Sequence, residues 1–205
     1  MRTLATLRRF AYGAFGVACA HLVFGAIVRI SGSGMGCGNH WPRCYGYWFP
    51  PMSRPDLVIE VTHRYLASLL LLSLIALFVA AWRRRGQPGV GGRGGVLRMA
   101  GLAVGLGSAA ALLGAVPVKM ANAPLATVAH WTVAMSLVAA VAAAVIRAGG
   151  LGGASARLYR LSPRPKRAAF AGAVLALVVV VMGALTAKIP GGAVACLNFP
   201  LCGAN

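Results

Sequence analysis

The chain has 205 residues, 59% of them hydrophobic and only 11% charged. A soluble domain is about one-quarter charged, so the composition excludes an ordinary soluble fold. Two acids, Asp56 and Glu60, stand against 20 Lys and Arg, for a net charge of +18. Such an excess can mark a nucleic-acid binder. With a mean hydropathy of +0.77 it describes instead an integral membrane protein whose loops carry the cations, and no nucleic-acid partner is expected.

A membrane-spanning helix needs about 20 predominantly apolar residues. Five segments meet that requirement: 10–30, 57–82, 99–118, 125–147 and 168–187. Arg/Lys clusters or Gly/Pro-rich stretches bound each of them. The first is longer than the apolar core of a signal peptide and lacks a small-x-small exit, so it reads as a retained helix. Basic residues set the expected orientation. On one side fall Arg2, Arg8 and Arg9, then Arg83, Arg84, Arg85, Arg93 and Arg98, then Arg147, Arg157, Arg160, Arg164, Lys166 and Arg167. The other side holds only Arg29, Arg43, Arg54, Lys119 and Lys188. Fourteen against five puts the N-terminus in the cytoplasm and the loops 31–56, 119–124 and 188–205 outside. The expected protein is multi-pass in the cell (cytoplasmic) membrane.

Helix 1 leads into "SGSGMGCGNHWPRCYGYWFPP", residues 31–51, a polar loop with Cys37 and Cys44 seven positions apart. On the oxidising side a close cysteine pair usually becomes a disulfide, worth roughly 2–3 kcal/mol in the chain-entropy model. Cys196 and Cys202 form a second outer pair, whereas Cys19 is alone in helix 1 and reads as a small apolar residue. A zinc site built on Cys37, His40 and Cys44 lacks a standard ligand spacing and is not favoured. His21 lies mid-helix 1 without an obvious partner and reads as a buried, hydrogen-bonded histidine. His40 reads as an exposed loop residue.

Helix 2 opens "LVIEVTHRYLASLLLL", in which Glu60 and His63 are three apart and share one helix face. Helix 4 opens "APLATVAHWTVAM", with His130 as deep in it as His63 is in helix 2. Two readings stand here. The imidazoles are axial ligands of one heme held in the apolar bundle, or each is an interfacial residue bonded to a carbonyl. In the first reading Arg29, Arg64 and Lys119, at the outer helix ends, are candidates to contact the propionates. Glu60 is either a proton acceptor or stabiliser of positive charge, or a helix N-terminal acid placed favourably on the dipole.

The two cysteine loops repeat each other. "GAIVRISGSGMGCGNHWPRC" from Gly25 and "GALTAKIPGGAVACLNFPLC" from Gly183 share a Gly-Ala start, a basic helix exit, a glycine-rich turn, and then Cys, Asn, aromatic, Pro and Cys. Both helices run from inside to outside, so the repeat is parallel. The expected fold is an all-α membrane protein: a four-helix transmembrane bundle (helices 1–4) plus the first helix of a second, parallel-repeat bundle. The expected divisions are a four-helix unit at 1–150, a basic cytoplasmic linker at 151–167, and the opening of a second unit at 168–205.

The run "SGSGMGCGNHWPRCYG", "IEVTHRYLA", "LLGAVPVKMANAPLATVAHW" and "ACLNFPLC" resembles heme A synthase in its bacterial form with outer-loop cysteine pairs. The resemblance covers essentially the whole chain. It implies an eight-helix membrane oxidoreductase of two four-helix halves, serving cytochrome oxidase assembly. Such enzymes oxidise the C8 methyl of heme O to the formyl group of heme A. It implies a substrate heme O between His63 and His130, with Glu60 as the essential glutamate, and heme b as cofactor in the second half. It matches Cys37–Cys44 and Cys196–Cys202 to the family's cysteine pairs. It implies heme O synthase (a farnesyltransferase) and an electron acceptor as partners. The sequence ends at Asn205, before the second half's histidines, so the chain is expected either to be part of a longer protein or to pair with a second copy. His21 has no counterpart in the resemblance.

Two rival functions fit parts of the pattern. A quinone-linked membrane thiol-disulfide oxidoreductase would use the cysteine pairs as a relay, but leaves the matched histidines unexplained. A b-type cytochrome electron-transfer subunit explains the histidines but not Glu60 or the cysteine loops.

Overall fold

A computed structural model describes residues 2–119, 123–152 and 163–188. Five helices account for most of them: α1 (Arg2–Ile30), α2 (Pro55–Trp82), α3 (Val96–Lys119), α4 (Pro124–Arg147) and α5 (Pro163–Lys188), with a 3-10 turn at Ser33–Met35. Each helix is long and apolar enough to cross a membrane. Among the described residues there is no strand. The chain is therefore the expected all-α membrane protein.

Local chemistry sets the helix ends. Pro55 and Pro124 stand in the first turns of α2 and α4, where a missing N–H costs nothing and the fixed φ favours the helix. Helix α1 stops at Ser31, whose hydroxyl donates to the Ile27 carbonyl at 2.7 Å. Gly32 follows at φ 67°, a left-handed turn that ends the helix. Helices α1 and α5 begin earlier than their apolar stretches, at Arg2 and Pro163. Hydropathy finds the bilayer-crossing part of a helix, whereas Arg and Lys are good helix formers that extend it. The basic residues Arg164, Lys166 and Arg167 thus lie in the first turns of α5; residues 153–162 and the Cys196–Cys202 pair lie outside the described residues.

Helices α1 to α4 form a ring in which α1 meets α2 and α4, and α3 meets α2 and α4; α5 rests chiefly on α4. Small side chains dominate the seam. Ala14, Ala18, Ala103 and Ala140 pack with Leu70, Leu74, Leu137 and Val141 at its centre. Close approach of this kind, rather than hydrophobic transfer, drives helix association in lipid. Large apolar residues such as Leu72 and Leu112 point out of the bundle, as lipid contact requires. At the end remote from the cysteine loop, the 83–95 connection tucks Val90 against Leu7, Ala80 and Ala81. There the Tyr12 hydroxyl accepts the Leu151 N–H at 2.8 Å.

Candidate functional site

His63 lies eight residues into α2 and His130 six residues into α4. At 1.5 Å per residue both sit roughly 10 Å from the helix start, at the cysteine-loop end. Each imidazole backs onto a glycine of the preceding helix. A Cβ on Gly25 of α1 would stand 3.3 Å from His63 Cε1, and one on Gly114 of α3 would stand 3.2 Å from His130 Cε1. The His130 Nδ1 lies 2.9 Å from the Ala110 carbonyl. A carbonyl only accepts, so Nδ1 carries the proton and Nε2 keeps its lone pair. His63 is held differently. The His21 ring stacks on it with centroids 4.2 Å apart and planes 10° from parallel. Among the described residues neither Nδ1 of this pair has a hydrogen-bond partner, and both atoms are buried. His21 is thus not the hydrogen-bonded core histidine its position suggested; it reaches into the site.

One turn before His63, Glu60 is 4% exposed. Its Oε2 accepts the Cys37 N–H at 2.8 Å, and its Oε1 accepts from Arg64, one turn on. Arg64 also donates through Nη1 to the carbonyls of His40 and Pro42, each at 3.0 Å. Cys37 and Cys44 are joined in a disulfide and packed, fully buried, on Leu57 and Val61. The first turns of α2 therefore fasten the loop from beneath, with the acid and the base acting as clips. A thiol-disulfide relay needs an accessible sulfur, and the burial of this pair does not favour one. His40 is exposed, as expected, and its Nδ1 lies 3.1 Å from the Cys37 carbonyl.

The basic candidates separate. Arg64 is engaged by the loop. Arg29 lies over the Trp131 ring with its guanidinium carbon 5.5 Å from the centroid. Lys188 of α5, Arg29's counterpart in the cysteine-loop repeat, reaches the same ring at 5.7 Å. Asp56 is paired with Arg54 at 2.8 Å and Glu60 with Arg64. These are the only two acids in the sequence, so Arg29 and Lys188 have no Asp or Glu to neutralise them. The Lys119 side chain lies outside the described residues.

The profile of the cytochrome oxidase assembly protein family matches residues 8–58 and 55–205. The chain belongs to that family. Among curated proteins it is 44% identical over 66 residues to a heme A synthase of Geobacillus kaustophilus, covering 32% of this chain and 21% of that protein. It is 41% identical over 63 residues to a heme A synthase of Bacillus pumilus, covering 31% and 20%. A Thermus thermophilus protoheme IX farnesyltransferase is 46% identical over 74 residues, covering 35% of this chain and 12% of that protein. The chain thus spans about a fifth or less of the curated relatives it matches. No solved structure matches it.

The matched relatives are named for heme synthesis, and the residues present here fit a heme. Among the described residues no group of three or more His, Cys, Asp or Glu could hold a bare metal ion. Porphyrin iron needs only two protein ligands, each offering an unprotonated ring nitrogen. The Ala110 carbonyl leaves Nε2 of His130 in that state. Both rings turn their Cε1–Nδ1 edge to glycine backbone, which leaves Nε2 clear of it. Sequence reasoning missed three contributors. Gly114-Ala115 repeats the Gly-Ala of the cysteine-loop helices and was legible as such. The stacking of His21 and the convergence of Lys188 on Trp131 depend on helix rotation, for which the sequence offers no signal.

Proposed function

We propose that this chain forms the substrate-heme unit of a heme A synthase. His63 and His130 hold the iron of heme O between α2 and α4, and the C8 methyl group is oxidised to a formyl group there, losing four electrons to an electron acceptor outside this chain and gaining an oxygen atom that the chain does not supply. Residues 1–150 would be that unit, 151–167 a basic linker, and 168–205 the opening of a second unit that takes heme b. The excess of basic residues on one side supports a cytoplasmic N-terminus and an extracytoplasmic cysteine loop. The observation that carries the proposal is the Nδ1–H of His130 on the Ala110 carbonyl, a tautomer set for iron, at the depth of a second glycine-backed imidazole.

In this reading the porphyrin supplies the reacting methyl and the iron that orients it. The protein's residues do the rest. Gly25 and Gly114 leave room for the two rings. Arg29 and Lys188, clustered on Trp131, face no Asp or Glu among the described residues and suit the propionates. Glu60 is one turn from His63 and is paired with Arg64. Withdrawing electrons from a methyl group leaves an electron-poor carbon, which a nearby carboxylate stabilises. Prenyl transfer to protoheme must supply such a substrate, and the matched farnesyltransferase relative supports that link.

The test is direct. The chain is purified in detergent, its visible spectrum recorded, and the extracted heme chromatographed. Heme O or heme A is expected, and His63→Ala and His130→Ala should each abolish the low-spin spectrum. Pigment content and absorbance unchanged in either variant would refute the proposal. Heme b alone would point to an electron-carrying cytochrome.

A further inference from the structure

The α1–α2 and α3–α4 hairpins are built on one plan with one substitution. Gly25 backs His63 and Gly114 backs His130 at nearly equal distances. Four residues before each glycine comes the residue that fixes the imidazole. In α3 this is Ala110, which offers its carbonyl to Nδ1 of His130. In α1 it is His21, which offers a ring face to His63 instead. The two histidines are therefore held by different devices, one through a ring nitrogen and one through the ring plane.

We propose that His21 is a positioning residue for His63, fixing the rotation of that imidazole by stacking. The inference rests on the reading of His63 as an iron ligand. It goes beyond it by assigning a role to a third histidine and by making the two axial ligands unequal. An N–H···O=C bond makes the opposite ring nitrogen a stronger donor, and His130 has one. Among the described residues the Nδ1 of His63 has no such partner, so His63 is the weaker ligand. Its orientation comes from face contact, which is sensitive to ring shape. Angular control of an axial imidazole sets the energies of the iron d orbitals, which a spectrum reads.

The experiment uses the heme-loaded chain and compares His21→Ala, His21→Phe and His63→Ala. The readouts are heme affinity and the low-temperature electron paramagnetic resonance of the oxidised protein. His21→Ala should lower heme affinity by about tenfold or more, as loss of an outer-shell partner does, and shift the highest g value. His21→Phe retains a flat stacking partner and should restore the wild-type signal, which a hydrogen-bonding role would not predict. A wild-type signal in His21→Ala, or a shifted signal in His21→Phe, overturns the inference. If His21→Ala does not fold, His21→Phe decides alone. His63→Ala separates the two levels. Loss of the low-spin signal there with no change in His21→Ala sinks only the positioning role, whereas an unchanged signal in His63→Ala sinks the ligand reading and this inference together.

Discussion

Glu60→Gln gives the sharpest test of how the cysteine loop is held. The carboxylate is buried and makes two contacts, one to the Cys37 N–H and one to Arg64. Glutamine keeps the shape and can still accept from Cys37, but as a neutral and weaker acceptor. Its amide places a donor against the Arg64 donor. Breaking a buried ion pair by removing one partner costs about 3–5 kcal/mol. Here Arg64 keeps its bonds to the His40 and Pro42 carbonyls and its side chain is 17% exposed, so about 2–3 kcal/mol is the appropriate figure. Both cysteines are fully buried, so a reductant reaches the disulfide only when the loop opens locally. Lowering the opening free energy by that amount raises the reduction rate roughly 30- to 160-fold. The assay reduces the detergent-purified protein with a limiting phosphine and traps the thiols with a maleimide polymer, with far-ultraviolet circular dichroism confirming intact helices. A Glu60→Gln reduction rate within twofold of wild type would refute the clip. Arg64→Gln loosens the same loop. If it reproduces the Glu60→Gln rate of reduction yet leaves heme oxidation intact in a full-length synthase while Glu60→Gln abolishes it, the carboxylate acts on the substrate as well as on the loop.

Gly114→Val should displace the His130 ring, break its bond to the Ala110 carbonyl and remove bound heme. Helix content should stay unchanged, because valine costs a helix less than glycine does; full heme loading in this variant would refute the backing role. The double variant Arg29→Gln/Lys188→Gln should weaken heme binding by up to about 30-fold, from at most about 1 kcal/mol per exposed ion pair, and the loss should shrink at high salt. Unchanged heme affinity would instead assign the pair to lipid phosphates.

Much of the architecture was legible because it depends on local chemistry. Prolines at 55 and 124 and the glycine after Ser31 mark helix ends in the sequence as clearly as in space. The equal depth of His63 and His130 follows from counting residues, and the Cys37–Cys44 disulfide from the closeness of the two cysteines in one loop. The Glu60–Arg64 contact is an i, i+4 pair and was open to the same counting, although the sequence suggested a heme contact for Arg64 instead. What stayed hidden depends on the rotational phase of one helix against another. Nothing in α1 alone says that position 21 faces α2, so His21 looked like a solitary core histidine. The same holds for Trp131, whose two cations come from α1 and α5.

The placement of these contacts joins two features that the sequence presents as separate. Glu60, His63 and Arg64 occupy little more than one turn of α2. The acid and the base grip the disulfide loop, while the histidine between them meets His21 of α1. A helix turn is stiff, since moving one residue breaks the hydrogen bonds of its neighbours. Any strain on the loop that shifts Glu60 is therefore passed to the backbone that carries His63, the iron ligand here proposed to lack a hydrogen bond at Nδ1. No such tie to His130 is seen among the described residues: its carbonyl partner is in α3, and the described loop contacts run to α1 and α2. Opening the disulfide loop should for that reason disturb the His63 side of a bound heme before the His130 side. The Glu60→Gln variant would show it as a shifted resonance signal with the heme retained.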